Sequence, residues 1–139
     1  MTDRGVVEFR DEPAQVQLSY APWDEDIGSL VVHMRAKGLV YELDVESSRG
    51  DGLDAFFAGL VDQWQGWSGV RHWQTILGEL AIDATHRGRT VELLFIARIP
   101  YRGGEPGDPD VEVRLRIEVA PGEALSQLAA ASSRLVAST

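Results

Sequence analysis

Three histidines, His33, His72 and His86, together with 22 carboxylates and no cysteine set the side-chain chemistry open to this 139-residue chain. Without cysteine there are no disulfides, thiolate metal sites or cysteine nucleophiles. No two histidines share one element at a metal-ligand spacing, so a zinc-type site is not expected. Asp83 stands near His86, but no serine occupies a nucleophile-elbow context that would extend the two into a catalytic triad. The run Asp24-Glu25-Asp26 carries enough charge to attract a hard cation. It lacks the spaced oxygens and the glycine of a dedicated calcium loop, and reads as a solvated acidic loop. The reading is therefore of a non-enzymatic chain with no catalytic residue, no cofactor and no bound metal.

Bulk charge narrows the partners. The chain carries 13 basic and 22 acidic side chains, a formal charge of −9, with 44% hydrophobic and 25% charged residues. That composition belongs to a globular domain, and the length suits one core rather than two. An acidic surface disfavours nucleic acid and anionic membranes, since both attract basic faces. The first thirty residues contain no apolar stretch of signal-peptide type, and Val91 to Ile99, the most apolar run, is too short to span a bilayer. A cytoplasmic location is expected.

The elements that must position any site follow from two periodicities. Val7 and Phe9, then Val16, Leu18 and Tyr20, alternate with polar residues around a turn at Asp11-Glu12-Pro13. After the Trp23 loop, Leu30, Val32 and Met34 alternate up to a four-residue turn. That turn sets Met34 opposite Leu39, Val32 opposite Tyr41 and Leu30 opposite Leu43. Leu53, Phe56, Phe57, Leu60, Val61 and Trp64 then form a helical stripe, with Asp51 as the expected N-cap and Gly66 beyond its end. Trp64 closes that stripe, Trp67 folds back on Val61 and Trp73 opens a strand, so all three are read as core. Strand periodicity resumes from Ile76 to Ala84, with Gly78 as a bulge, and from Val91 to Tyr101. A loop covers Gly103 to Asp110, a strand covers Val111 to Val119, and a helix starts at Pro121 and carries Leu125, Leu128, Ala129 and Leu135 inward. The expected fold is α+β: one domain over residues 1–139. It holds a mostly antiparallel seven-stranded sheet in the chain order ββββαβββα, with both helices on one face.

The segment from Asp51 to Gly88 resembles small actinobacterial proteins of the domain-of-unknown-function family numbered 6228. The likeness rests on a DGL-x-x-F start, the Trp64-x-Gly66-Trp67-x-Gly69 turn, Arg71-x-Trp73, Gly78-x-Leu80 and the His86-to-Gly88 turn. Thr75-Ile76 departs from the Ser-Leu of that pattern. The resemblance implies no chemistry. In size and layout the chain is also similar, more loosely, to immunity proteins of bacterial toxin systems, which implies neutralisation of a cognate toxin as one form of protein binding.

The uncovered sheet face is where a partner is expected. A register matching Ala84 with Val91, Ile82 with Leu93 and Leu80 with Phe95 leaves Asp83 opposite Glu92 on the reverse face. That face would gather Val31, Val40, Leu77, Leu94 and Ile96 into an apolar strip edged by Arg98, Arg114 and Arg116. Trp23, Asp24, Glu25 and Asp26 add an aromatic anchor among carboxylates. Residues 1–50 hold ten acidic and five basic side chains, so the negative charge leans to this first half. The function expected is protein binding through the open face or the loops. The alternatives are a small-molecule site or enzyme with a pocket between sheet and helices, and a homodimerising regulatory domain.

Overall fold

A computed structural model describes residues 5–99 and 111–137. Each alternating run becomes a strand: β1 (Val7–Asp11), β2 (Ala14–Pro22), β3 (Gly28–Ala36), β4 (Leu39–Ser47), β5 (Val70–Gln74), β6 (Leu80–His86), β7 (Val91–Ile99) and β8 (Val111–Val119). Helix α1 (Leu53–Asp62) separates β4 from β5, and α2 (Glu123–Ala137) follows β8. The fold is α+β with antiparallel pairing, as the periodicities require. The expected loop from Gly103 to Asp110 and the end of the strand at Tyr101 lie outside the described residues. Among the described residues no helix is long and apolar enough to cross a membrane.

The seven-stranded sheet is corrected to eight strands in two four-stranded sheets, ordered β1-β2-β3-β4 and β5-β6-β7-β8. β1 and β8 lie against each other without a backbone ladder; the Asp11 carboxylate instead accepts the Glu118 N–H at 3.0 Å. The added strand is β5, in which Arg71 and Trp73 alternate with exposed Val70, His72 and Gln74. Gly78, with φ +73°, belongs to the β5–β6 turn instead of a bulge, and that turn leaves Ile76 and Leu77 exposed at its tip.

Both hairpin registers slip by two residues from expectation. β3 turns into β4 through Lys37-Gly38 alone, with Gly38 at φ +78°, so Met34 faces Tyr41 and Val32 faces Leu43. The tight turn needs a left-handed residue, which glycine supplies without strain. β6 runs on to His86, which faces Val91, so Ala84 faces Leu93 and Asp83 faces Leu94. The like-charge pair of Asp83 and Glu92 therefore does not form. An even slip leaves every side chain on its expected face, which is why the inward set survives.

The core joins both sheets to both helices. Val7, Phe9, Val16, Leu18, Leu30 and Val32 from the first sheet meet Leu80, Ile82, Leu93, Phe95 and Ile117 from the second. Phe57 from α1 and Leu125, Leu128 and Leu135 from α2 complete it. The Phe9 ring touches Phe57 at 5.7 Å and Phe95 at 4.8 Å between centroids, one aromatic bridging helix and both sheets. Trp64 is not core: it is 49% exposed, because α1 ends at Asp62 and the chain turns before the stripe reaches it.

Asp51 does not cap α1 either. Arg49, Gly50, Asp51 and Gly52 form a 3-10 turn with φ of +52°, +80°, +54° and +74°, and Gly52 is the N-cap. Left-handed backbone costs roughly 1–2 kcal/mol at each non-glycine residue. The turn is held by its own polar groups: Ser47 Oγ donates to Asp51 Oδ2 at 2.8 Å and accepts from the Gly50 N–H at 2.8 Å. Trp73 Nε1 donates to the Asp51 carbonyl at 2.9 Å and ties β5 to the turn.

Candidate functional site

Several of the residues that carry the family resemblance, Trp64, Trp67, Arg71, His86 and Gly88, meet at the connection between α1 and β5. Trp67 Nε1 donates to the Ala84 carbonyl at 3.3 Å, the Arg71 guanidinium lies 5.8 Å from the Trp67 ring centroid, and His86 packs edge-on against that ring at 5.1 Å. His86 Nδ1 accepts the Gly88 N–H at 3.0 Å, which makes Nε2 the protonated nitrogen donating to the Trp64 carbonyl at 2.8 Å. Both ring nitrogens are thus engaged in holding the β6–β7 turn to the end of α1. Trp67 is half-buried in this cluster, beside Arg71 and His86.

Acidic residues gather at one end of the first sheet. Trp23 is 62% exposed on a turn between β2 and β3. Asp24 fixes that turn, accepting the Asp26 N–H at 2.8 Å and the Ile27 N–H at 2.9 Å, while Trp23 N and Asp24 N both donate to the Ile27 carbonyl. The bonds from Ile27 and Asp26 hold the Asp24 carboxyl below its ordinary pKa. Arg49 reaches across to the Glu25 carbonyl at 3.0 Å. Gly28 closes the turn where any Cβ would lie 2.5 Å from the Ala21 carbonyl oxygen, so only glycine fits. The register sets Glu46 opposite Ser29 beside this loop, with Asp44 and Glu42 following along the outer face of β4. Val31 is half-buried between Ser19 and Asp44, and Val40 is 76% exposed opposite Arg35. A cavity of about 310 Å³ opens on the same face, lined by Gln15, Gln17, His33, Arg35, Val40 and Glu42.

The second sheet holds the other expected contact residues, so the single apolar strip does not exist. Val31 and Val40 stand on the first sheet, Leu77 stands in a turn, and Leu94 is half-buried. Ile96 is only 4% exposed, between Ala81 and Arg114. A long arginine stem covers apolar surface while its head reaches solvent, which accounts for a buried isoleucine on an outward face. The arginines do come together, but each is paired. Glu112 accepts from Arg98 at 3.1 Å and Arg114 at 2.7 Å; Glu92 accepts from Arg87 at 2.7 Å and also from Arg116. Arg87 foremost, with Arg116, holds the Glu92 carboxyl below its ordinary pKa against the opposing effect of burial. Arg114 and then Arg98 do the same to Glu112.

Sequence reasoning missed the histidine–carboxylate pair of this sheet. β5 sets His72 opposite Asp83, with Nδ1 at 2.6 Å from Oδ1 and Nε2 at 2.9 Å from Gln74 Oε1. Asp83, then Gln74, raises the His72 pKa. The alternation of inward Arg71, Trp73 and Thr75 with outward Val70, His72 and Gln74 was the available signal. Both histidine nitrogens are engaged and no serine or threonine nucleophile is bonded to either, so the pair lacks the geometry of a triad. Among the described residues no three histidine, aspartate or glutamate side chains group as a metal site.

The chain belongs to a family of unknown function, DUF6228, matched over residues 8–139. No curated protein and no solved structure matches it at significance.

Proposed function

We propose that the protein is a non-enzymatic protein-binding domain whose contact surface is the acidic end of the first sheet. The carrying observation is Trp23: a large aromatic, mostly exposed, on a turn that Asp24 locks and that also carries Glu25 and Asp26. Rigid exposed tryptophans lose little entropy on binding and anchor interfaces, and surrounding carboxylates steer a basic partner and select it. Glu92 and Glu112 on the second sheet each serve two arginines, whereas Asp24, Glu25, Asp26, Asp44 and Glu46 form no ion pair among the described residues. Neutralisation of a basic toxin is one activity of this kind.

The test is affinity capture with wild-type protein and with Trp23→Ala at low and high salt. A partner bound through this surface loses at least about tenfold in affinity on the substitution and weakens with salt. A partner indifferent to both would overturn the assignment. A small-molecule site is the second reading, favoured by an open groove of about 470 Å³ between β1 and α2, lined in part by Glu8, Arg10, Gln127 and Arg134.

A further inference from the structure

The first sheet ends on β4, whose outer edge pairs with no strand among the described residues. This edge is long and regular. Its nine residues pair with β3 in one unbroken register from Ala36↔Leu39 to Gly28↔Ser47, without bulge, proline or lysine. Natural sheets ordinarily blunt such edges, and of the usual devices β4 carries only charge, in Glu42, Asp44 and Glu46. The opposite end of the fold differs, since the edge strand β5 is only five residues long.

The two faces of β4 are also unlike. On the core side, Met34 and Val32 of β3 are 1% and 0% exposed, whereas their β4 partners Tyr41 and Leu43 are only half-buried, as is Leu39. The apolar layer therefore runs out to the edge and stops there uncovered at Leu39, Tyr41 and Leu43, whereas Val45 and Ser47 further along β4 are buried. The Tyr41 hydroxyl is buried without a hydrogen-bond partner. On the outer side stand Glu42, Asp44 and Glu46 in a row, with Glu42 Oε2 3.1 Å from His33 Nδ1 of β3.

We propose that β4 accepts an extended segment of a basic protein partner as a ninth antiparallel or parallel strand, one that alternates lysine or arginine with apolar residues. The backbone of the segment satisfies the free edge, its apolar side chains extend the layer over Leu39, Tyr41 and Leu43, and its basic side chains meet Glu42, Asp44 and Glu46. A second copy of this chain is disfavoured in the fully overlapping register. Antiparallel self-pairing centred on Leu43 sets Glu42 against Asp44 on both sides, and like charges directly opposite are unfavourable. The proposal rests on the protein-binding reading above and adds to it the form and composition of what binds.

The probe is a capped nine-residue peptide alternating lysine and valine, followed by fluorescence anisotropy and by amide hydrogen exchange of β4. Two controls accompany it: the same peptide methylated at every backbone nitrogen, and a glutamate–valine peptide. The expected result is binding by the lysine peptide with slowed exchange along β4, a loss of at least about tenfold on methylation, and no binding by the glutamate peptide. The double variant E42K/D44K reverses the preference between the two charged peptides. Binding that survives methylation and leaves β4 exchange unchanged overturns strand addition while leaving the acidic-surface reading intact. No binding by the lysine peptide at about 1 mM overturns strand addition as well. If a captured partner is also indifferent to Trp23→Ala, the acidic-surface reading falls with it.

Discussion

Two sheets packed through one aromatic contact make a measurable prediction about coupling. Phe9 on β1 and Phe95 on β7 are 1% and 0% exposed and meet edge-on, with centroids 4.8 Å apart and ring planes at 64°. Replacing either with leucine keeps an apolar side chain of similar size, which by itself costs up to about 1.5 kcal/mol. Each replacement also removes the ring-to-ring contact, worth about 0.5–1.5 kcal/mol beyond area burial. Each single variant is therefore expected to lose about 0.5–3 kcal/mol. The second replacement finds the contact already gone, so the double variant falls short of the sum by about 1 kcal/mol. Urea melts of the four proteins measure this directly, and in thermal melts 1 kcal/mol corresponds to about 3–5 °C for a domain of this size. Costs that add to within about 0.3 kcal/mol would refute the reasoning. They would mean that the two rings are independent and that the first and second sheets are not packed through them.

Two further perturbations separate positions that the sequence treats alike. Trp73 is 6% exposed and donates to Asp51, whereas Trp64 is 49% exposed. Trp73→Ala should therefore cost about 3–5 kcal/mol and Trp64→Ala roughly half of that or less, compared by urea midpoints at unchanged slope. Equal losses would restore Trp64 to the core. The His72–Asp83 pair sets a pH dependence, because a raised histidine pKa means the folded state binds the proton more tightly than the unfolded chain. Its stabilisation is full below the ordinary histidine value near 6.5 and is lost as pH rises through the higher folded value. Asp83→Asn should flatten that segment of a stability–pH profile. An unchanged profile would show that the pair does not contribute.

Local pattern was enough to place most of the side chains. Period-two alternation assigned the inward residues of β1 to β4 and β6 to β8, and the 3.6-residue stripe assigned Leu53, Phe57 and Leu60 to the buried face of α1. Those assignments withstood both register slips because the slips were even. The acidic triplet beside Trp23 was equally visible, since charge and exposure are properties of short segments. What depended on contacts between distant residues was not legible. No local signal distinguishes one seven-stranded sheet from two four-stranded sheets when β1 and β8, a hundred residues apart, decide it through Asp11 and Glu118. The same holds for Ile96, buried between neighbouring strands, for His72 meeting Asp83 across a register, and for Glu92 held by two arginines. The amino-acid sequence alone determined the class of fold, the faces and the acidic, cysteine-free chemistry, because each follows from composition or short-range period. Tertiary structure decided which strands end a sheet and which charges are already paired. An edge and an ion pair are each defined by what stands beside them in space, and the proposed partner surface rests on two such features, the open edge of β4 and the exposed Trp23.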